Sequence, residues 1–334
     1  MQKNVVASAV DGFLKSYTGH VPGASVAILR DGHCLYQRSA GFADLEAGRP
    51  AAANTNYRLA SLTKQFTAAA VLLLAAERRL SIEDGARTWL PGLPAATSGV
   101  TIRHLLTHTS GLLDYEDLIP ANTVQPLRDA DVLRLLEDQH RTACAPGSAY
   151  RYNNGGYALL ALIVERASGL GFAEFLHRRI FEPVGMQATV AHEEGRTRVA
   201  HRAYGYQCLD TGWSRSDQSA TSAVLGDGGI YSSIEDLARW DAVLYDERLL
   251  RAEWRERMFA PATPTDDPGV AYGFGWRITG DSVWHSGESI GFRNVIVRYP
   301  VPRLTVIILT NRDLPEPYAA ALGIAAGVVQ GAVP

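Results

Sequence analysis

The sequence predicts an α+β protein in which one antiparallel sheet is built from both ends of the chain and flanked by helices. Two observations lead to this prediction. Short apolar runs bounded by turn residues lie near the two ends, whereas patterns with helical spacing occupy the middle. The 334 residues, 46% hydrophobic and 20% charged, are typical of a globular protein and long enough for one unit with two lobes.

Strand patterns form a hairpin near the start of the chain and a meander near its end. The runs at residues 24–29 and 33–38 are joined by Arg30-Asp31-Gly32, a sequence typical of a tight turn. The later runs, with turn residues between them, lie at residues 273–278, 282–285, 292–299 and 304–309. An alanine-rich segment at residues 318–329 predicts a helix that closes the chain.

Helical patterns fill the region between these strands. The first, at residues 65–80, is rich in Ala and Leu and contains neither Gly nor Pro. Others follow at residues 101–108, 131–139, 157–167 and 237–245, the last after a capping box made by Ser233 and Asp236. We expect a single catalytic unit, residues 1–334, with an α/β lobe at about 1–80 and 225–334 and an inserted helical lobe at about 81–224.

Lysine is rare in this chain, and one lysine follows a serine at a spacing suited to catalysis. Only Lys3, Lys15 and Lys64 are lysines among 32 basic residues, and Lys64 lies three residues after Ser61. Arginine stays protonated at any working pH, whereas a desolvated lysine can lose its proton and act as a base. Residues three apart at a helix start share a face, so the pattern favours a serine nucleophile with a lysine base. Chance occurrence, or a Ser61 that only caps the helix, is the alternative.

Two further segments offer side chains that such a pair would need. Tyr152 and Asn154 lie in a loop before the helix at 157–167, where a tyrosine can relay protons and an asparagine can hold a carbonyl. His285 and Gly287 lie at the end of the strand that begins at Ser282, where glycine permits close approach of the backbone and the next N–H can enter an oxyanion hole. Taken singly, Tyr152 is also compatible with a packed loop tyrosine, and His285 with a half-buried strand histidine.

Taken together and in order, these motifs resemble those of the penicillin-recognising serine hydrolases. The resemblance is to the branch that contains class C β-lactamases, D-aminopeptidases and related esterases. That family carries Ser-x-x-Lys, Tyr-x-Asn and Lys-Thr-Gly or His-x-Gly, which here are Ser61/Lys64, Tyr152/Asn154 and His285/Gly287. Similar stretches occur at residues 101–111, 228–233 and 272–276, so the resemblance covers roughly residues 20–312. It implies a β-lactamase/transpeptidase-like fold.

The resemblance also implies a role for each residue. Ser61 would attack an acyl carbonyl, and Lys64 with Tyr152 would take its proton and return it to the leaving group. The backbone N–H groups of Ser61 and Glu288 would stabilise the oxyanion before water hydrolyses the acyl-enzyme. The residues implied to contact the substrate are Asn154, His285 and Gly287. The implied chemistry needs no cofactor and no metal, and its partner is a small ester, amide or lactam.

His285 bears on the choice of substrate, since β-lactamases of this branch carry lysine at that position. A lysine is a permanent cation suited to a substrate carboxylate, whereas a histidine gains charge only as pH falls toward about 6.5. The sequence therefore favours an esterase or a D-stereospecific peptidase. A class C-type β-lactamase or DD-peptidase is the alternative, and a non-catalytic binding or sensor protein on the same fold is the second alternative.

Two other patterns are less compatible with catalysis. Residues 287–291 match the Gly-x-Ser-x-Gly elbow of α/β-hydrolases, but that elbow needs a following helix and a later histidine. A β-like run follows Ser289, and the last histidine is His285. His104 and His108 have a spacing that can bind metal, but no third ligand is evident, so we interpret both as structural.

Bulk properties exclude several partners and suggest a location. A net charge of −3 without a basic run gives no reason to expect nucleic acid binding. Cys34, Cys144 and Cys208 are odd in number and widely spaced, which indicates neither a disulfide framework nor a zinc site. We find no apolar run long enough for a membrane span and no signal-peptide core. As given, the chain is expected to be cytoplasmic, although a trimmed secreted protein would look the same. The oligomeric state is left open.

Overall fold

The structure is a computed structural model that describes residues 2–330; the other five residues of the expected 1–334 unit lie outside the described residues. Its strands are β1 (Ala24–Arg30), β2 (His33–Ala40), β3 (Phe42–Asp44), β4 (Arg49–Pro50), β5 (Tyr57–Arg58), β6 (Val190–Ala191), β7 (Tyr206–Leu209), β8 (Gly212–Arg215), β9 (Ile230–Ser232), β10 (Thr263–Pro264), β11 (Val270–Tyr272), β12 (Arg277–Thr279), β13 (Ser282–Ser289), β14 (Phe292–Tyr299) and β15 (Leu304–Thr310). Its α-helices are α1 (Gln2–Leu14), α2 (Lys64–Ala76), α3 (Ala86–Trp89), α4 (Ile102–Leu106), α5 (Asp129–Glu137), α6 (Asn154–Ser168), α7 (Phe172–Leu176), α8 (Glu182–Val184), α9 (Leu225–Gly228), α10 (Ile234–Val243), α11 (Ala252–Phe259) and α12 (Tyr318–Gln330).

One antiparallel sheet joins the two ends of the chain, as the sequence predicts. Its eight strands lie in the order β10-β11-β12-β13-β14-β15-β1-β2, so β1 pairs with β15 across most of the sequence. The hairpin between β1 and β2 turns at Asp31 and Gly32, both with positive φ (53° and 76°), which is the two-residue turn typical of hairpins. The α+β class is therefore confirmed.

The two faces of the sheet are covered by different helices. Alternate residues of a strand point to opposite faces, and in β1 Val26 and Ile28 pack in one apolar cluster with buried residues of α1 and α12. Ala27 and Leu29 belong to the larger cluster on the opposite face, which contains α2 and α6. Helices thus shield the sheet on both sides, and the candidate catalytic residues lie in and around the larger cluster.

The central helix α2 is shorter than the sequence predicts and begins differently. It ends at Ala76 because Arg78 takes a left-handed conformation (φ 58°) and the Arg79 N–H donates to the Leu74 carbonyl (2.9 Å), a common helix stop. Ser61 was expected in the first α-helical turn. It lies instead in a 3₁₀ turn, Ala60–Thr63, that leads into α2.

Several other boundaries also differ from the predictions. Of the expected strand at 273–278, only residues 277–278 lie in a strand, within β12. Residues 273–276 connect β11 to β12, because Gly275 (φ 76°) turns the chain against the start of α2. A Cβ on Gly275 would lie 2.7 Å from the Lys64 carbonyl oxygen. The strand at 282–285 continues to Ser289, which places His285 and Gly287 within β13.

Helix α6 brings the middle of the chain to the start of α2. The helix expected at 157–167 begins three residues earlier, at Asn154, and packs against both α2 and α9. Its N-cap is Asn153, whose side chain accepts a hydrogen bond from the Gly156 N–H (2.9 Å). The division into two lobes remains a prediction. No helix within residues 2–330 combines the length and apolar character needed to cross a membrane.

Candidate active site

Ser61 and Lys64 form the centre of the candidate site. The Lys64 Nζ lies 2.8 Å from the Ser61 Oγ, and Lys64 is fully buried (0% exposed) whereas Ser61 is partly open to solvent. The 3₁₀ turn followed by the first turn of α2 puts both side chains on one side of the chain. A buried amine in contact with a partly exposed hydroxyl is the geometry that a serine nucleophile requires of its base.

Lys64 has three hydrogen-bond partners, which match the three N–H groups of an ammonium. Besides Ser61, the Nζ donates to the Asn154 Oδ1 (2.8 Å) and to the Asp227 backbone carbonyl (3.1 Å). A neutral amine has two N–H groups and one lone pair. If the lone pair accepts from the Ser61 hydroxyl, the other two contacts persist unchanged. Proton transfer from Ser61 to Lys64 therefore reverses one hydrogen bond and breaks none.

The backbone before Ser61 is strained and tightly enclosed. Ala60 has a φ of 50°, in the left-handed region that costs a non-glycine residue about 1 kcal/mol or more. Gly287 of β13 lies against this turn, and a Cβ there would be 2.1 Å from the Leu59 carbonyl oxygen. Glycine at position 287 is thus required for close approach of β13 to the segment that carries Ser61.

Tyr152 lies on the other side of Lys64. Its half-buried ring is 5.0 Å from the Lys64 Nζ, centroid to nitrogen, and the Arg277 guanidinium is 5.8 Å from the same ring. Two cations therefore lie near this phenol. The structure brings Tyr152 to the pair of Ser61 and Lys64. Its role in proton transfer remains a prediction.

Asn154 is engaged within the site. Its Oδ1 accepts from Lys64, and its Nδ2 donates to the exposed Glu116 carboxylate (2.7 Å). The Nδ2 carries two N–H groups, so this hydrogen bond leaves one for the expected contact of Asn154 with a substrate carbonyl. Glu116 is a residue that the sequence interpretation missed, since nothing in its local sequence distinguishes it from other surface acids.

His285 does not present a charge to the site. The ring is buried (2% exposed), its Nδ1–H donates to the Ser286 carbonyl (2.6 Å), and its Nε2 accepts from the Tyr272 hydroxyl (2.9 Å). Burial first, and then the positive charges of Arg277 and Lys64, lower the pKa of His285 to about 3. The expectation that this imidazole becomes charged as pH falls toward 6.5 is therefore wrong. Its neutrality at pH 7, which the substrate prediction used, is retained.

Glu288 and Ser289 lie at the mouth of the site. Glu288 is exposed in β13 and pairs with Arg293 of β14, and a turn with Ile290 at φ 36° follows. A hairpin and not a helix thus follows Ser289, which agrees with its exclusion as the nucleophile. The assignment of the Glu288 N–H to an oxyanion hole remains a prediction.

A small open cleft lies beside these groups. It is lined by Ser61, Asn154, Ser289, Arg58 and three acids, Glu116, Asp227 and Glu288. The Asp227 carboxylate accepts from the Tyr115 hydroxyl (3.2 Å), and burial raises its pKa to about 6, against the opposing effect of Lys64. Acids therefore outnumber the single arginine around the opening.

Asp129 supports the segment that carries Asp227, and the sequence interpretation missed it too. Its carboxylate accepts from the backbone N–H groups of Leu225 (3.0 Å) and Gly226 (2.9 Å), at the start of α9. Burial raises the pKa of Asp129 to about 7, although these two N–H groups act in the opposite direction. Asp129 thus fixes the start of α9, the helix whose Asp227 carbonyl contacts Lys64.

His104 and His108 have different roles. The His104 ring accepts from the Thr101 N–H (3.3 Å) in a capping box of α4, which is a structural role. His108 lies next to Tyr152, as described below. Across residues 2–330, no group of three or more His, Cys, Asp or Glu side chains is arranged to hold a metal ion.

Comparisons with known proteins agree with this geometry. The family model described as Beta-lactamase matches residues 6–330. "Penicillin-binding protein 4*" of Bacillus subtilis (strain 168) is 35% identical over 322 residues, which cover 91% of this chain and 71% of that protein. A "D-aminopeptidase" of Gluconobacter oxydans (strain 621H) is 29% identical over 317 residues, 92% of this chain and 59% of that protein. The chain thus spans about three fifths of the D-aminopeptidase.

Solved structures share the whole fold. The octameric penicillin-binding protein homologue from Pyrococcus abyssi has a TM-score of 0.87 at 27% identity, over 99% of this chain and 78% of that chain. D-amino acid amidase from Ochrobactrum anthropi SV3 has a TM-score of 0.83 at 23% identity, over 99% and 98%. The chain therefore belongs to the beta-lactamase family, within the penicillin-recognising serine hydrolases that its motifs resemble.

Proposed function

We propose that this serine hydrolase forms an acyl-enzyme on Ser61 and acts on ester or amide substrates that carry a positive charge near the acyl group, D-amino-acid derivatives foremost. The observation that carries the proposal is the 2.8 Å hydrogen bond between Ser61 and a fully buried Lys64. A buried lysine can serve as a neutral base, which an arginine cannot.

The proposed reaction follows from these contacts. The Ser61 oxygen bonds to the acyl carbon while its proton passes to the Lys64 Nζ, and the carbonyl becomes an oxyanion. We assign the N–H groups of Ser61 and Glu288 to that oxyanion. When the carbon–leaving group bond breaks, the proton passes from Lys64 to the leaving group, with Tyr152 as the relay. Water then repeats the sequence on the acyl-enzyme and releases the acid.

The charges around the cleft favour a cationic substrate. Glu116, Asp227 and Glu288 line the opening against Arg58 and the Lys64 amine, and the neutral His285 adds no positive charge. The carboxylate of a penicillin or cephalosporin would meet these acids, whereas an α-ammonium would be attracted. The similarity to a D-aminopeptidase supports the same substrate class.

Penicillin recognition is the second candidate, because a relative with 35% identity is named a penicillin-binding protein. A substrate panel separates the two. We expect higher kcat/KM for D-amino-acid amides or short p-nitrophenyl esters than for a chromogenic cephalosporin at pH 7 to 8. A cephalosporin turned over as well as the best ester would place β-lactam hydrolysis first.

The nucleophile is tested separately from the substrate. A fluorophosphonate probe should add one adduct to the wild-type protein, detected by intact mass, and Ser61→Ala should remove both the adduct and all hydrolysis. Ser289→Ala is the matched control, since it changes a serine in the same cleft and should retain most of the rate. An adduct on Ser289, or no adduct on a folded wild-type protein, would contradict the proposal; the latter would favour a binding protein.

A further inference from the structure

His108 occupies an unusual position next to the candidate catalytic tyrosine. It is buried (1% exposed), and its φ of 58° lies in the left-handed region. Its ring packs on that of Tyr152 with centroids 4.3 Å apart and an interplanar angle of 35°. The Tyr272 ring also packs against His108, with centroids 4.6 Å apart. His108 thus forms part of the surface against which Tyr152 is seated.

The backbone N–H groups of the two residues that flank Tyr152 both donate hydrogen bonds to His108. The Arg151 N–H donates to the His108 carbonyl (2.8 Å), and the Asn153 N–H donates to the His108 Nδ1 (3.1 Å). Asn153 is also the N-cap of α6. The same histidine therefore fixes the backbone on either side of Tyr152 and the start of the helix that carries Asn154.

The hydrogen bond to Asn153 requires the neutral form of His108. An N–H donor faces Nδ1, so Nδ1 must be the acceptor and the ring proton lies on Nε2. Burial first, and then Lys64, His285 and Arg277, lower the pKa of His108 well below its ordinary value. The acceptor at Nδ1 is therefore present throughout the neutral pH range.

A residue that only filled space would not need these features. The Nε2 of His108 is buried without a hydrogen-bond partner among the described residues, which costs stability. The left-handed backbone is a second cost. An apolar side chain would avoid the first cost and a glycine the second, so the contacts with Tyr152 and Asn153 are what the histidine supplies.

We propose that His108 is a positioning residue that holds Tyr152 in place for proton transfer during acylation. The proposal rests on the proposed serine hydrolase function, because it gives Tyr152 its task. His108 touches neither Ser61 nor the reacting atoms in this scheme, and the proposed effect on catalysis runs through Tyr152 and not through Asn154. Its removal should therefore lower kcat and leave KM within about threefold.

Amide variants separate the acceptor from the bulk of the ring. Asparagine tolerates positive φ and can place its Oδ1 where Nδ1 lies, whereas glutamine carries the same amide one carbon too far. We expect His108→Asn to keep kcat within about tenfold of wild type and His108→Gln to lose about a hundredfold at similar Tm. Equal kcat in the two variants, or losses that follow Tm, would overturn the proposal.

A double-variant cycle with Tyr152→Phe tests whether His108 acts through Tyr152. If it does, His108→Gln combined with Tyr152→Phe should be no slower than Tyr152→Phe alone. Losses that multiply would refute the proposal. Should His108→Gln fail to fold, His108→Gly, which tolerates the positive φ and removes the acceptor, replaces it in the cycle with the same criterion. Labelling of the wild-type protein by fluorophosphonate separates the two hypotheses. If labelling fails, the serine hydrolase function itself is refuted, whereas the variants of His108 test only the positioning of Tyr152.

Discussion

Replacement of Lys64 by arginine tests the proposed base most directly. The charge is kept, but a guanidinium has no accessible neutral form and no lone pair for the Ser61 proton. The site is also closed around the amine, with acceptors 2.8, 2.8 and 3.1 Å from Nζ and no exposed surface. A larger, planar cation cannot match all three.

The expected size of the effect follows from the loss of base catalysis. General-base catalysis contributes roughly 10²–10⁴-fold to an enzymatic rate. We therefore expect Lys64→Arg to lower kcat about 1000-fold, the middle of this range, which corresponds to about 4 kcal/mol of barrier. Lys15→Arg makes the same chemical change at an exposed position and should leave kcat unchanged.

The assay is hydrolysis of a p-nitrophenyl ester under saturating conditions, together with the rate of fluorophosphonate labelling. Circular dichroism and Tm establish that each variant is folded. A folded Lys64→Arg protein that loses less than about tenfold, or about 1.4 kcal/mol, would refute the assignment of Lys64 as base.

Two further predictions concern β13. Gly287→Ala would place a methyl group 2.1 Å from the Leu59 carbonyl, so β13 or the Ser61 turn must move, and we expect a loss of kcat of at least about tenfold. Gly323→Ala, in open space on α12, is the control, and activity equal to wild type in both would contradict this explanation. His285→Gln tests the buried imidazole: because its pKa of about 3 lies below the ordinary 6.5, the unfolded chain binds its proton first as pH falls. Relative to this variant, wild type should lose up to about 1.4 kcal/mol of unfolding free energy per pH unit between about 6.5 and about 3, measured by urea denaturation. A difference that is constant with pH would show the imidazole to be accessible.

The parts of the site that the sequence predicts are those set by local geometry. Ser61 and Lys64 are three residues apart, so any helical turn brings them together, whether 3₁₀ or α. The hairpin at Asp31-Gly32 follows in the same way from the backbone preference of its two turn residues. Order and spacing of the three motifs then indicated the family, which the comparisons confirm.

The remaining features depend on contacts that no local pattern encodes. The break at Gly275 is caused by the start of α2 pressing against it, and the burial of His285 by Tyr272 and the strand around it. Glu116 and Asp227 reach the cleft only through tertiary contacts. In the sequence alone, Glu116 cannot be told from other surface acids, and Asp227 lies in a glycine-rich segment.

The hydrogen bonds of Lys64 also relate catalysis to the order of folding. Its partners Asn154 and Asp227 lie 90 and 163 residues away along the chain, and the contact between His108 and Asn153 spans 45 residues. Contacts of such separation carry the largest loop-closure cost and form slowly, whereas helices such as α2 can form from local sequence. Far-UV signal on refolding would therefore return before hydrolysis. Enzymatic activity should therefore appear only after these long-range contacts have formed. A fragment that ends before Asp227 would lack one of the three hydrogen-bond partners of Lys64.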